Sequence, residues 1–223
     1  MFPNYETAKQ YEKEYNMIPV CKEIYADIVT PITLLRRLKE IDNRYYLLES
    51  VEGGKQWGQY SFLGVSPLLQ ISCKDGVVRM KSGAMVTEQK QDAYEALRNL
   101  IAQYHSPSIP RMPSFTGGLV GYFSYEMIGY AEPKLKIKKG TFNDYDMMLF
   151  DKVIAYDHLK QKISVIANYR SEDGEKGYKK ALLEIEKMIH LIQDTTPLAK
   201  EQADQNVEFT CNLSKEEYCN MVE

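Results

Sequence analysis

The chain has 223 residues, a hydrophobic fraction of 44% and a net charge of −3. It can therefore bury a sizeable core, as one large domain or two small ones. The charge excludes a general attraction to nucleic acid or anionic lipid, and no apolar run is long enough to span a membrane.

The cysteines and the N-terminus indicate the compartment. The polar N-terminal segment resembles no secretory signal. The four cysteines are scattered without a CxxC pair, which predicts reduced structural thiols and a cytoplasmic protein. They are Cys21, Cys73, Cys211 and Cys219.

Hydrophobic periodicity predicts helices that alternate with groups of strands. The predicted helices are 5–15, 31–42, 91–104, a short one at 127–130, and 173–193. The predicted strands are 17–28, 45–48, 60–63, 68–73, 76–81, 85–87, 115–125, 146–158 and 162–169. We expect an α+β fold of mainly antiparallel strands in stacked, sandwich-like sheets flanked by helices.

The C-terminal part changes in composition. Residues 194–206 are polar and aperiodic, as is typical of a linker. Val207–Leu213 predicts a further strand, and Ser214 followed by Glu217 forms a capping box for a helix that begins at Lys215. Because this helix has a start signal and no stop signal before Glu223, we expect the sequence to be cut inside a larger domain.

The segment Arg44–Gly64 contains the strongest candidate binding residues. Glu49 and Ser50 follow a short buried strand, where a carboxylate and a hydroxyl could hold a small polar molecule with an ammonium group. The alternative is that both are solvated turn residues.

No convincing catalytic centre is predicted from residue chemistry. The sequence has three histidines and no HExxH, GxSxG or Walker motif. Gly117–Gly121 resembles a phosphate loop only superficially, and a glycine-kinked strand packed tightly against its neighbour is the better interpretation. Glu126, Asp144 and Asp146 could hold Mg²⁺ in principle, although scattered acids near strand ends are usually solvated.

Three blocks of the sequence, in their order and spacing, resemble the N-terminal region of the anthranilate synthase component I family. They are Asp27–Gly64, Thr116–Glu126 and Asp144–His158. The segment Ser214–Tyr218 is similar to the first helix of that family's chorismate-binding domain. The resemblance implies a regulatory domain over 1–193, a linker over 194–206 and the start of the chorismate-binding catalytic domain over 207–223.

The resemblance also implies a function. The family converts chorismate to anthranilate, with ammonia from a glutamine amidotransferase component II subunit and with feedback inhibition by L-tryptophan. Its LLES motif lies in the tryptophan site, which implicates Leu48, Glu49, Ser50 and, less directly, Val51. The Mg²⁺ ligands and catalytic residues belong to the domain expected beyond Glu223, so the chain is expected to carry half of the inhibitor site, no metal and no complete active site.

Two other functions stay open at this point. The first is the N-terminal part of aminodeoxychorismate synthase component I, the folate-pathway relative with the same architecture. The second is a free-standing amino-acid-binding module that is complete at 223 residues.

Overall fold

The computed structural model describes residues 1–27, 29–49, 59–132, 134–135, 137, 140–198 and 210–222. The helices in these ranges are α1 (Tyr5–Tyr11), α2 (Pro31–Lys39), α3 (Ala93–Ala102), α4 (Ile128–Ala131), α5 (Gly174–Gln193) and α6 (Lys215–Val222). The strands are β1 (Met17–Tyr25), β2 (Tyr45–Glu49), β3 (Tyr60–Val65), β4 (Leu69–Lys74), β5 (Val77–Ser82), β6 (Met85–Lys90), β7 (Gly118–Phe123), β8 (Tyr145–Phe150), β9 (Lys152–Asp157) and β10 (Lys162–Arg170).

These strands form two antiparallel five-stranded sheets, and the predicted α+β class is confirmed. Sheet A has the order β1-β10-β9-β3-β2, and sheet B has the order β6-β5-β4-β8-β7. None of the helices in the described ranges is long and apolar enough to cross a membrane.

Helices α1, α2 and α5 cover one face of sheet A. The apolar stripe of α5 places Ile185, Ile189 and Ile192 in the same core cluster as Ile163 and Val165 of β10. Burying an isoleucine side chain contributes about 1.5–3 kcal/mol, so this stripe is a main attachment of α5 to the sheet.

Helix α3 covers one face of sheet B. Asp92 caps its start by accepting a hydrogen bond from the Glu95 amide at 2.8 Å. Leu97 and Leu100 then pack with Ile71 of β4 and Tyr145 of β8 in the core of that sheet.

Turn and cap residues form the local structures that their residue types favour. Asp75 and Gly76 connect β4 to β5, with φ values of 51° and 77°, as a tight hairpin requires. Thr30 caps α2 by accepting from the Thr33 amide. The capping box is formed in both directions, because the Glu217 amide donates to Ser214 Oγ and the Ser214 amide donates to the Glu217 carboxylate.

The prediction of one strand over 146–158 is wrong. The chain forms β8 in sheet B and β9 in sheet A, and it passes from one sheet to the other at Asp151. β8 pairs with β4 and β7, whereas β9 pairs with β10 and β3. An uninterrupted apolar run is as typical of two consecutive buried strands as of one. Its periodicity does not show where the chain begins to pair with different neighbouring strands.

Asn168 of β10 fixes the place where the chain changes sheets. Its side-chain amide donates to the carbonyl of Asp151 at 2.9 Å and to the carbonyl of Thr116 at 2.7 Å, and its backbone amide also donates to Asp151. One residue therefore ties sheet A to the crossover and to the segment that leads into β7 of sheet B.

Among the differences from the predicted elements are the end of α1 and the segment Val207–Leu213. Helix α1 ends at Tyr11 rather than at Tyr15, because the chain turns there so that the amides of Asn16 and Met17 can donate to the carbonyl of His105. The strand predicted over Val207–Leu213 falls partly outside the described residues. Its described part, 210–213, is not a strand and leads directly into the cap of α6.

The glycine-rich segment enters strand β7, in agreement with the glycine-kinked strand that the sequence predicts. A Cβ atom on Gly121 would overlap the carbonyl of Asp146 and would lie 2.8 Å from Met147 Cα, both in the neighbouring strand β8. Only glycine allows the two backbones to approach this closely.

We expect Gly121→Ala to lower the free energy of unfolding by about 1–3 kcal/mol, because β7 and β8 must separate to accept the methyl group. Urea unfolding followed by circular dichroism measures the change. Gly129→Ala is the matched control, since a Cβ at Gly129 would have Ile137 Cδ1 at 3.8 Å as its nearest neighbour. Equal stability of the two variants would contradict the close packing of β7 on β8.

Candidate functional site

The predicted binding residues lie at the end of strand β2. Among the described residues β2 is an edge strand, paired on one side with β3. Leu48 is 47% exposed, and Glu49 is exposed as well. Ser50 and Val51 lie outside the described residues, so their role stays a prediction.

The turn that leads into β2 is held by an ion pair. Arg44 Nη2 donates to Asp42 Oδ2 at 2.8 Å, and the Arg44 Nε and backbone amide donate to Asp42 Oδ1. Hydrogen bonds from Arg44 lower the pKa of Asp42 to about 2. The position of β2 relative to α2 therefore depends in part on an ionised carboxylate.

Glu49 and Leu48 project to opposite faces of the sheet. Successive side chains alternate along a strand, and Tyr45 and Leu47 belong to the helix-covered core. Glu49 therefore lies on the helix-covered face, and Leu48 lies on the other face. A ligand that contacts both side chains has to bind across the end of the strand.

Two further polar side chains adjoin Glu49. Ser61 of β3 is directly opposite Glu49 in the ladder, is fully buried, and donates from Oγ to Glu49 Oε1 at 3.4 Å. The same Oγ lies 2.7 Å from Nε2 of His158, at the end of β9. Glu49, Ser61 and His158 thus form a row of hydrogen-bonded groups across three neighbouring strands.

The sequence prediction missed Ser61 and His158. A serine inside the apolar run Tyr60–Leu63 was the available signal, because a buried hydroxyl requires a partner. The partner itself could not be identified, since His158 is 97 residues away in the sequence.

The arrangement is suited to binding rather than to nucleophilic catalysis. In a hydrolytic triad the acid contacts the histidine, whereas here Glu49 contacts the serine. Ser61 is also fully buried, so a substrate cannot reach its hydroxyl. The exposed carboxylate of Glu49 can instead accept hydrogen bonds from a cationic group, and such charge-assisted bonds are among the strongest in proteins.

Two of the three acids considered for Mg²⁺, Asp144 and Asp146, accept hydrogen bonds within the fold. Asp144 Oδ2 accepts from the Tyr130 hydroxyl and from the Asp75 amide, both at 2.7 Å. Asp146 accepts from the side-chain amides of Gln70 and Asn143. No group of three or more His, Cys, Asp or Glu side chains in the described ranges is arranged to hold a metal ion.

A hollow lies beside the β4–β5 turn, away from the end of β2. It has a volume of about 310 Å³, and its lining includes Lys74, Glu126, Tyr130 and Asp144. The Lys74 ammonium donates to the backbone carbonyls of Gly140 and Phe142. The polar groups of this hollow therefore hold a loop in place.

Comparison with protein families identifies the relationship. The model of the family described as "chorismate binding enzyme" matches residues 33–223. The chain belongs to the chorismate-binding enzyme family.

Individual members of the chorismate-binding enzyme family are similar over nearly the whole chain. Anthranilate synthase component 1 of Acetivibrio thermocellus is 33% identical over 99% of this chain and 47% of the relative. The protein of the same name from Acinetobacter calcoaceticus is 33% identical over 94% of this chain and 43% of the relative. The chain thus spans about half the length of these curated relatives.

A solved structure is also similar. The crystal structure of anthranilate synthase component I from Streptococcus pneumoniae TIGR4 matches 77% of this chain and 38% of that chain, with 24% identity and a TM-score of 0.46.

We expect Asp42→Asn to lower the free energy of unfolding by about 1 kcal/mol at pH 7, because it weakens the bonds to Arg44. The pKa of Asp42 is lower in the folded chain than in the unfolded chain, so its stabilisation is complete above about pH 4 and is lost as the pH falls towards 2. Urea unfolding of both proteins from pH 7 to pH 3 measures the difference, which should narrow below pH 4. A difference that does not depend on pH would contradict the ionic origin, and Glu172→Gln, at an exposed position, is the control.

Proposed function

We propose that this chain forms the N-terminal, tryptophan-sensing part of an anthranilate synthase component I. This lyase converts chorismate and ammonia to anthranilate and pyruvate, in tryptophan biosynthesis. The observation that carries the proposal is the similarity to proteins of that name over 99% of the chain, within the chorismate-binding enzyme family.

The inhibitor site in this proposal is the end of strand β2. Leu48, Glu49, Ser50 and Val51 supply one half of it, and the relatives' additional length supplies the other half. The tryptophan ammonium would be bound by the exposed carboxylate of Glu49, and the indole would lie on apolar strand residues. The exposure of Glu49 and its long bond to Ser61 support this assignment, because the carboxylate keeps capacity to accept further hydrogen bonds.

Feedback inhibition then follows from linkage. Tryptophan favours one arrangement of this part of the protein relative to the catalytic part, and chorismate favours the other. Each ligand therefore weakens the binding of the other by the same factor, typically by about 1–3 kcal/mol.

In this proposal, catalysis needs groups that this chain does not supply. The Mg²⁺ ligands and the catalytic residues of the full-length enzyme are expected in the relatives' additional length. Ammonia would come from a glutamine amidotransferase component II subunit. The expected location is the cytoplasm, and this chain alone is expected to be inactive.

Product analysis tests the enzymatic proposal. The purified gene product that carries this chain, supplied with chorismate, Mg²⁺ and ammonium, should form anthranilate and pyruvate. Formation of 4-amino-4-deoxychorismate would assign it to the folate pathway instead. Unchanged chorismate in the presence of all three would overturn the proposal.

Calorimetry with L-tryptophan tests the remaining alternative. The 223-residue chain should bind tryptophan weakly or not at all, because half of the site would be missing. Tight binding by this chain would support a free-standing amino-acid-binding module.

We expect Ser50→Phe in that gene product to raise the tryptophan concentration for half inhibition at least about tenfold, because the larger side chain occupies the inhibitor site. The uninhibited rate should change little. Ser108→Phe, at an exposed loop serine, is the control and should leave inhibition intact. Loss of activity by Ser50→Phe with inhibition intact would count against the assignment of this site.

A further inference from the structure

The row Glu49–Ser61–His158 shares one hydroxyl proton, because a serine hydroxyl carries only one. Ser61 Oγ lies 3.4 Å from Glu49 Oε1 and 2.7 Å from His158 Nε2, and the direction of the second bond depends on the tautomer of the imidazole. With the imidazole proton on Nε2, the hydrogen bonds run from His158 through Ser61 to Glu49.

The backbone and a ring contact hold His158 in this position. Its amide donates to the carbonyl of Gln59 at 2.9 Å, and its carbonyl accepts from the side-chain amide of Gln161 at 2.7 Å. The imidazole ring packs on Tyr156, with the ring centres 4.8 Å apart. These contacts hold the imidazole beside Ser61.

The neighbouring acid, Asp157, accepts hydrogen bonds from other groups. Asp157 is buried, and it accepts from the side chain of Gln59 and from the amides of Leu159 and Lys160. These bonds close the turn between β9 and β10. They leave the imidazole directed towards Ser61 and Glu49.

We propose that His158 is a positioning residue for the inhibitor site. Through Ser61 it engages Oε1 of Glu49 and so orients the carboxylate with Oε2 available to a ligand ammonium group. Ser61 is fully buried and transmits this constraint without contacting the ligand. The inference rests on the proposed function, in which the ligand is an amino acid.

The first experiment requires no ligand. Nitrogen-15 NMR of the 223-residue chain should show a His158 Nε2 proton that exchanges slowly with water, and Ser61→Ala should abolish its protection. The chain has three histidines, so His158→Gln assigns the signal. Ser164→Ala, at another buried serine of sheet A, is the control and should leave the signal unchanged. A proton on Nδ1, or a signal that persists in Ser61→Ala, would overturn the inference.

The second experiment measures inhibition of the complete gene product by L-tryptophan. His158→Phe keeps the ring contact with Tyr156 and removes the donor, so the inhibition constant should rise about five- to tenfold. His158→Gln places an amide donor near the position of Nε2 and should stay within about twofold of wild type. His190→Phe, at an exposed position of α5, is the control.

The outcomes separate the inference from the function on which it rests. Inhibition of His158→Phe at the wild-type concentration, or an equal loss in His158→Phe and His158→Gln, would overturn the positioning role. A wild-type protein that tryptophan does not inhibit would overturn the proposed function, and the NMR experiment would still decide the direction of the hydrogen bonds.

Discussion

The hydrogen bonds of Asn168 determine where the chain leaves sheet B and enters sheet A. Because its side chain binds the carbonyls of Asp151 and Thr116 together, β9 begins directly after the crossover, with a fixed register against β10. That register places His158 at the end of β9. The inhibitor site proposed here therefore depends on a contact at the opposite end of the same strand.

The position of Glu49 relative to His158 depends in turn on the register of β3. β3 pairs with β9 on one side and with β2 on the other, so its position brings Ser61 between His158 and Glu49. Shifting β3 by one residue would turn Ser61 to the other face of the sheet and break both hydrogen bonds. A buried serine in an apolar strand thus constrains the register and also links the exposed Glu49 to the partly buried His158.

Local features of this sequence were sufficient for most elements but not for the site. The Ser214 capping box was predicted because its signal lies within a few residues of the structure it specifies, and the Asp75–Gly76 turn is specified just as locally. The change of sheet at Asp151 was missed because both strands are buried and apolar. Glu49 was found at a strand end, whereas its relation to His158 depends on strand pairings between residues about a hundred positions apart, which no local pattern contains.

The place of Glu49 on an edge strand also bears on the feedback inhibition proposed above. Among the described residues β2 pairs only with β3, so moving its end breaks fewer ladder hydrogen bonds than moving a central strand would. Leu48 and Glu49 face opposite sides of the sheet, and a ligand that contacts both must span the strand end. Binding of such a ligand changes the free energy of the end of β2 relative to the part of the protein that packs beside it. Linkage requires a ligand to make different contacts in the two arrangements. The same ligand on a central strand would meet a ladder held on both sides and would shift the equilibrium between two arrangements far less.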